Sequence, residues 1–226
     1  MRYMGIINLT PDSFSDGGKY HSAEDAVAAA LALETAGAEV LDLGPQSSRP
    51  GFVEIGPDEE LSRLMPVLTA LRTKTKAQIS VDTYHPEVAR AALAAGADIL
   101  NTVRPCEELY RIAQDYKAGL VITHNEGDVK SDPDILARVT NFLVRETEKT
   151  SARPLWIDPG LGFGKSRLQN WLLIEGLPKL VSTGIPVLVA ASRKSFLPHP
   201  KDEWTRRVTG IAIAAGCDMV RVHEIP

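Results

Sequence analysis

Eight short apolar runs divide this chain, and each ends on a polar or charged residue: Asn8, Asp42, Asp82, Asn101, His124, Asp158, the cluster Ser192 to Ser195, and the pair Arg221/His223. Seven of the intervening gaps carry helix-like sequence. Strand, loop and helix repeated in this way predict a (β/α)8 TIM barrel, because parallel strands need helical crossovers and a sheet of this size closes on itself. In such a barrel the loops that follow the strands share one face, so residues far apart in sequence meet in a single pocket. The 226 residues suit one domain, 1–226, slightly below the roughly 250 usual for the architecture.

Composition narrows the function classes. A net charge of -4 with no acidic or basic tail disfavours nucleic acid, so an anionic ligand must be held by locally placed Arg and Lys. Cys106 and Cys217 stand alone, without metal-ligand spacing, and are expected to be buried small apolar residues. No apolar run approaches the roughly 18 residues of a membrane span, and the first residues lack a signal-peptide core. A cytoplasmic protein with small-molecule substrates, no nucleic acid and no membrane is the expectation.

Along the chain, strands are expected at Tyr3 to Ile7, Glu39 to Leu43, Gln78 to Val81, Ile99 to Leu100, Leu120 to Thr123, Leu155 to Ile157, Pro186 to Val189 and Met219 to Val222. Helices are expected from the Ser22 cap to Ala36, and at Asp58 to Arg72, Pro86 to Ala95, Glu107 to Tyr116, Asp132 to Lys149, Leu168 to Val181 and Asp202 to Ala214. Three Ala-Gly phrases, at Gly37, Gly96 and Gly216, each precede an apolar run, a weak repeat of the βα unit. The barrel lacks an eighth helix and an N-terminal hairpin in this reading. The apolar surface so left predicts either a homodimer contact or lower stability.

The stretches between elements carry the chemistry. Asn8 to Gly18 is long and mixes turn formers with polar anchors and Phe14, as loops that close over ligands do, although turn formers also make plain surface loops. Gly44 to Gly51 sets Ser47 and Ser48 beside Arg49, a combination suited to anionic oxygen, while Asp42 between two Leu reads as a buried acceptor. Asp82, Asn101 and Asp158 end neighbouring or near-neighbouring strands, and carboxylates with an amide can read the donor edge of a purine-like or pterin-like ring. Each alone more often makes a loop or cap bond.

Gly160 to Ser166 fails both phosphate-loop spacings and is expected to turn Phe163 and Lys165 into the pocket mouth. Ser192-Arg193-Lys194-Ser195 and Arg221/His223 follow strands seven and eight, where barrels usually hold phosphate. A single His ending a strand, such as His124, is often only structural. His21, His85 and His199 are expected to be exposed loop residues.

These motifs, from Met4-Gly5-Ile6-Ile7-Asn8-Leu9-Thr10-Pro11-Asp12-Ser13-Phe14-Ser15-Asp16-Gly17-Gly18 through Ser48-Arg49-Pro50-Gly51, Val81-Asp82-Thr83, Asp158-Pro159-Gly160 to Lys165, Ser192 to Ser195 and Arg221-Val222-His223, resemble the dihydropteroate synthase family in order and nearly whole extent. The resemblance implies a folate-pathway transferase joining p-aminobenzoate to 6-hydroxymethyl-7,8-dihydropterin diphosphate, with Mg2+. It implies that Asp82, Asn101, Asp158 and Lys194 hold the pterin, and that Asn8, Ser48, Arg221 and His223 hold the diphosphate and its metal, Asn8 being the metal ligand. Phe14, Arg49, Pro50, Phe163 and Ser195 would form the p-aminobenzoate site. The catalytic set it implies is Asp82, Lys194, Asp16 and Arg49, the last two ordering the loops.

Three positions depart from the family pattern: Gln46 and Thr102 stand where acids are usual, and Thr123 where a Met usually packs on the pterin. Two further readings therefore stand beside the synthase: a pterin-binding paralogue without the reaction, and a pterin-dependent methyltransferase.

Overall fold

The computed structural model describes residues 1–10, 22–46 and 53–226. Every apolar run becomes a parallel strand: β1 Arg2–Asn8, β2 Val40–Gly44, β3 Gln78–Asp82, β4 Ile99–Thr102, β5 Gly119–Thr123, β6 Leu155–Asp158, β7 Leu188–Val189 and β8 Met219–Val222. The strands hydrogen-bond in the order β6-β5-β4-β3-β2-β1-β8-β7. A parallel bridge from Ile157 to Val187 joins β6 to the approach of β7, and the Ile157 N–H donates to the Pro186 carbonyl at 2.9 Å, so the ring closes. The helices are α1 Ala23–Thr35, α2 Pro57–Arg72, α3 Pro86–Ala94, α4 Glu107–Asp115, α5 Ile135–Glu148, α6 Arg167–Glu175, α7 Leu177–Val181 and α8 Lys201–Ala214.

Strand residues alternate between two separate hydrophobic clusters, as a period of two requires. Met4, Val40, Ile99, Val121, Trp156, Leu188 and Met219 form a small cluster inside the ring. Their neighbours Leu41, Ile79, Leu100, Leu120, Ile122, Leu155, Ile157, Val189 and Val220 join the larger cluster between the ring and its helices. The interior cluster plugs the lower barrel, so the residues two positions further along the strands, Asp42, Asn101, Thr123, Asp158 and Arg221 among them, face its upper end.

Helix boundaries follow local chemistry. Ser22 caps α1 by accepting the Asp25 N–H at 3.2 Å, with Glu24 and Asp25 in the first turn where the helix dipole favours them. Helix α5 begins at Ile135 rather than at Asp132, because Asp132 and Asp134 accept backbone N–H groups at 2.8 and 3.1 Å and serve as turn and cap. The single helix expected at 168–181 is two. Pro178 cannot donate to a continuing ladder, and Gly176 lies so close to Leu136 that a Cβ there would be 2.6 Å from its methyls. Strand β7 is two residues long, Pro186 having no N–H to give the ladder.

Two expectations fail. His85 is not an exposed loop residue: Nδ1 sits 2.9 Å from the Glu60 carboxylate, whose fully buried side chain draws the ring inward. Cys106 is exposed just ahead of α4, where the chain turns away from the core, while Cys217 is buried as expected. His199 is exposed, and His21 lies outside the described residues. Leu168 and Leu172 on α6 and Ile211 and Ile213 on α8 are the exposed apolar side chains of neighbouring helices.

Candidate active site

The upper barrel holds two linked charge clusters. In the first, Arg221 of β8 donates Nε–H to Asp42 of β2 at 2.6 Å and an Nη2–H to Asp82 of β3 at 3.0 Å. Strands β1 and β2 separate β8 from β3 in the sheet, so this contact crosses the ring's interior. Ser80 Oγ and Asn101 Nδ2 donate to the other Asp42 oxygen at 2.6 and 3.3 Å. Asp42 is therefore the hub under the site, fully buried and satisfied on both oxygens.

The second cluster lies across the pocket. The Asp158 carboxylate accepts the Gly160 N–H at 2.7 Å. Lys194 Nζ donates to the Leu161 carbonyl at 2.7 Å and lies 4.2 Å from the centre of the Phe163 ring, a cation–π distance. Burial raises the Asp82 carboxyl to about 7, with Arg221 opposing and Asp42 adding to the rise. Burial likewise raises Asp158 and lowers the Lys194 ammonium to about 8, with Asp158 holding part of the charge on Lys194. Carboxylates and an amine displaced toward neutrality in one cleft are what a reacting site needs.

The sequence-predicted residues divide accordingly. Asp82, Asn101 and Arg221 meet around Asp42, while Asp158, Lys194 and Phe163 meet at the turn after β6. Asn8 ends β1 beside Gly44, where a Cβ would be 3.7 Å from its Oδ1. His223 Nδ1 is 2.9 Å from Ser192 Oγ, which also accepts the His223 N–H at 3.2 Å. Ser195 is exposed on the loop after β7. Phe14, Asp16, Ser48, Arg49 and Pro50 lie outside the described residues.

The turn expected to carry Lys165 into the pocket mouth does something else. Lys165 is only 6% exposed and points beneath the turn, donating to the Gly160 carbonyl at 2.8 Å and the Phe163 carbonyl at 3.1 Å. The backbone carbonyls below the turn give the buried ammonium its acceptors. The turn also locks onto the loop after β5, since Gly164 O accepts the Val129 N–H at 2.8 Å and Gln169 Nε2 donates to the Val129 and Asp132 carbonyls, each at 2.9 Å. Gly164 has φ +58, and a Cβ there would lie 1.5 Å from the Gly127 oxygen. Gly164→Ala is expected to cost on the order of 3 kcal/mol or more, strain and clash adding. Chemical denaturation of the variant checks this, and an unchanged midpoint would refute it.

A rim network was not anticipated. Gln46 donates to the Tyr84 hydroxyl and accepts the Ile55 N–H at 2.6 Å. The Tyr84 hydroxyl donates to Glu54 at 2.8 Å, and Arg104 pairs with Glu54 while covering the Tyr84 ring at 4.0 Å. Only an amide at position 46 can donate to Tyr84 and accept from Ile55 at once, so the departure at Gln46 has a structural use. Thr102 falls on the face opposite Asn101, where its Oγ1 accepts the Arg104 N–H at 3.3 Å. No sequence signal links Gln46 to Tyr84 or Glu54 to Arg104, which are 38 and 50 residues apart.

Residues 4–223 match the family described as pterin binding enzyme. The dihydropteroate synthase of Staphylococcus haemolyticus is 37% identical, over 99% of this chain and 90% of that protein. The chain belongs to the dihydropteroate synthase family. Its members are transferases of folate biosynthesis. Among solved structures, the Xanthomonas albilineans dihydropteroate synthase with 4-aminobenzoic acid is 39% identical with a TM-score of 0.92, covering 99% of this chain and 88% of that one. The same organism's enzyme in complex with 7,8-dihydropteroate is 37% identical with a TM-score of 0.87, at the same coverage. The (β/α)8 barrel and the family expected from the motifs are thus borne out.

Proposed function

We propose that this chain condenses p-aminobenzoate with 6-hydroxymethyl-7,8-dihydropterin diphosphate, giving 7,8-dihydropteroate and diphosphate. The observation that carries the reading is the gathering of Asp82, Asn101, Asp158 and Lys194 at one end of the ring, with Arg221 on β8 and His223 just beyond it. The aniline nitrogen forms a bond to the pterin methylene, and the methylene–oxygen bond breaks with its electron pair leaving on diphosphate. The surplus amine proton goes to solvent.

Charge dictates the roles. As diphosphate departs, positive charge grows on the methylene and ring, and the ionised Asp82 and Asp158 carboxylates stabilise it from a water-poor cleft. Asn101 and the two carboxylates orient the ring's donor edge, while Lys194 meets its acceptor side. Arg221 and His223, with Ser48, hold the leaving group. A weak aniline nucleophile needs positioning more than activation, and that falls to Phe163, Ser195, Phe14, Arg49 and Pro50, with Asp16 ordering the first loop. The 4-aminobenzoic acid and 7,8-dihydropteroate complexes of the Xanthomonas albilineans relative support the choice of substrates.

Mg2+ fits this site with few protein ligands. Among the described residues no group of three His, Cys, Asp or Glu could hold a metal, but Mg2+ in phosphate chemistry takes one or two protein oxygens and fills its sphere with substrate oxygens and water. The Asn8 amide oxygen beside Gly44 would be such a ligand. When bound, the ion would supply charge neutralisation on the diphosphate.

A single domain, residues 1–226, carries all of this. The exposed Leu168, Leu172 and Ile211 on adjoining helices support a homodimer, and two unpaired thiols fit a reducing, cytoplasmic compartment. Among the described residues no helix is long and apolar enough to cross a membrane.

Incubating the protein with the pterin diphosphate, p-aminobenzoate and Mg2+ tests the reading. Dihydropteroate is the expected product. Binding of the diphosphate without product would favour a paralogue that lost the reaction, and absence of binding would favour a methyltransferase.

A further inference from the structure

We propose that Lys165 is a positioning residue that clamps the turn after β6 from below and thereby sets both Asp158 and Lys194 against the pterin. The inference rests on the synthase reading and names a group that this reading leaves without a task. An ammonium has three N–H donors, and three acceptors surround it: the Gly160 carbonyl at 2.8 Å, His124 Nδ1 at 3.0 Å and the Phe163 carbonyl at 3.1 Å. The His124 carbonyl adds a fourth, longer contact at 3.4 Å. Every proton of this buried cation is thus spent on the turn or on the neighbouring strand end.

The turn in question touches both pterin-facing charges. Its Gly160 N–H holds Asp158, and its Leu161 carbonyl holds Lys194. Gly162 lies under the Lys194 stem, where a Cβ would be 3.0 Å from Cδ. Gly160 itself has φ +66 and sits against His124, a Cβ there falling 1.9 Å from the His124 oxygen. Lys165 ties together the pieces that this close approach brings side by side.

His124 completes the clamp. Because Nδ1 accepts from an ammonium, the ring proton must be on Nε2, which is 3.1 Å from Glu126 Oε2 and donates to it. Arg138 Nε donates to the same oxygen at 2.9 Å, fixing the carboxylate. Burial and the neighbouring Lys165 charge depress His124 to about 4, consistent with a neutral acceptor. Burial draws Lys165 down to about 7, against the pull of Asp158. A strand-end His and a buried Lys, each unremarkable alone, form one device.

Lys165→Met keeps length and removes the donors, leaving acceptors buried without partners. It is expected to weaken pterin diphosphate binding by about tenfold, with a smaller rise in the KM for p-aminobenzoate, which Phe163 on the same turn helps to position. In the ligand-free protein the Gly160 and Phe163 amides, which bond Asp158 and the Gly160 carbonyl, should exchange hydrogen faster, with the middle of α6 unchanged. His124→Asn, which keeps an acceptor near the Nδ1 position, should retain pterin affinity, and His124→Leu should lose it. The loss in His124→Leu should not add to that in Lys165→Met, because the two act as a unit.

Wild-type affinity in Lys165→Met, equal losses for both substrates, or additive losses in the double variant would overturn the proposal. If Lys165→Met does not fold, the contrast between His124→Asn and His124→Leu decides. Should the wild type neither bind the pterin diphosphate nor form product, the synthase reading is the one that falls, and amide exchange at Gly160 still judges the clamp.

Discussion

Replacing Asp82 by Asn is expected to cut kcat by about 10²–10³-fold, the scale of losing one preorganised charge aimed at developing charge, while binding of diphosphate changes little. Asn keeps the shape and one acceptor but cannot offset positive charge on the pterin methylene. Arg221 keeps Asp42 as a partner at 2.6 Å in the variant, so its place near the leaving group is retained. Equal losses in turnover and diphosphate binding would contradict the role.

The same substitution carries a pH signature. The wild-type carboxyl titrates near 7 when folded, raised chiefly by burial, so turnover should fall as pH drops through about 7 and Asp82 takes up a proton. Stability runs the opposite way. A carboxyl raised on folding gives stability present below its unfolded pKa and lost as pH rises through the folded one, here between about 4 and 7. Asp82→Asn lacks that titration, so above pH 7 its melting temperature should equal or exceed that of the wild type although its turnover is far lower. Turnover across pH with parallel thermal melts measures both.

The sequence disclosed this site because barrels enforce a rule with period two. Once Met4, Val40, Ile99, Trp156 and Met219 fill the lower ring, Ile6, Asp42, Asn101, Asp158 and Arg221 two residues on must face the upper end. Position along the strand therefore announced the pocket. Pairing inside it was not announced. Asp42 reads as a structural acceptor from its flanking leucines, and only the closure of the ring shows that its partner is Arg221, 179 positions later.

Lys165 misled for a related reason. Its glycine-rich neighbourhood signals a turn but not which side of the turn offers acceptors, and that is decided by the carbonyls of Gly160, Phe163 and His124. His85 runs against expectation because the buried Glu60 that attracts it is an acid on the regular inward face of α2, in line with Leu64, Val67 and Leu71, where an apolar residue is the norm. Gln46 looked like a loss when compared with an acid, yet Tyr84 and Ile55 ask for an amide. Local pattern located the strands and turns, and long-range electrostatics set where these charged side chains point and with whom they pair.

The largest stability effect is expected at Arg221, whose side chain stands between a fully buried carboxylate and a nearly buried one. Arg221→Met fills similar volume but strands Asp42 and Asp82 without a cation, and removing one partner of a buried ion pair costs about 3–5 kcal/mol. For a chain of this length that is a fall in melting temperature of roughly 10 °C.

The loss should depend on pH with a definite sign. Without the guanidinium the Asp82 carboxyl rises further, so the variant recovers stability as pH falls and protons replace the missing charge, and is least stable in alkali. Asp42→Asn combined with Arg221→Met should restore part of the loss by removing the deepest stranded charge, since Asn at 42 can still accept from Ser80 at the position of the 2.6 Å bond. Thermal melts of the single and double variants at pH 5.5 and pH 8, values chosen about 1.5 and 1 unit either side of the Asp82 midpoint near 7, distinguish this from simple loss of packing. A packing defect would be as large at both pH values and would not respond to Asp42→Asn. If the Arg221→Met loss proved independent of pH, the ion-pair hub beneath the pocket would have to be abandoned as the source of its stability.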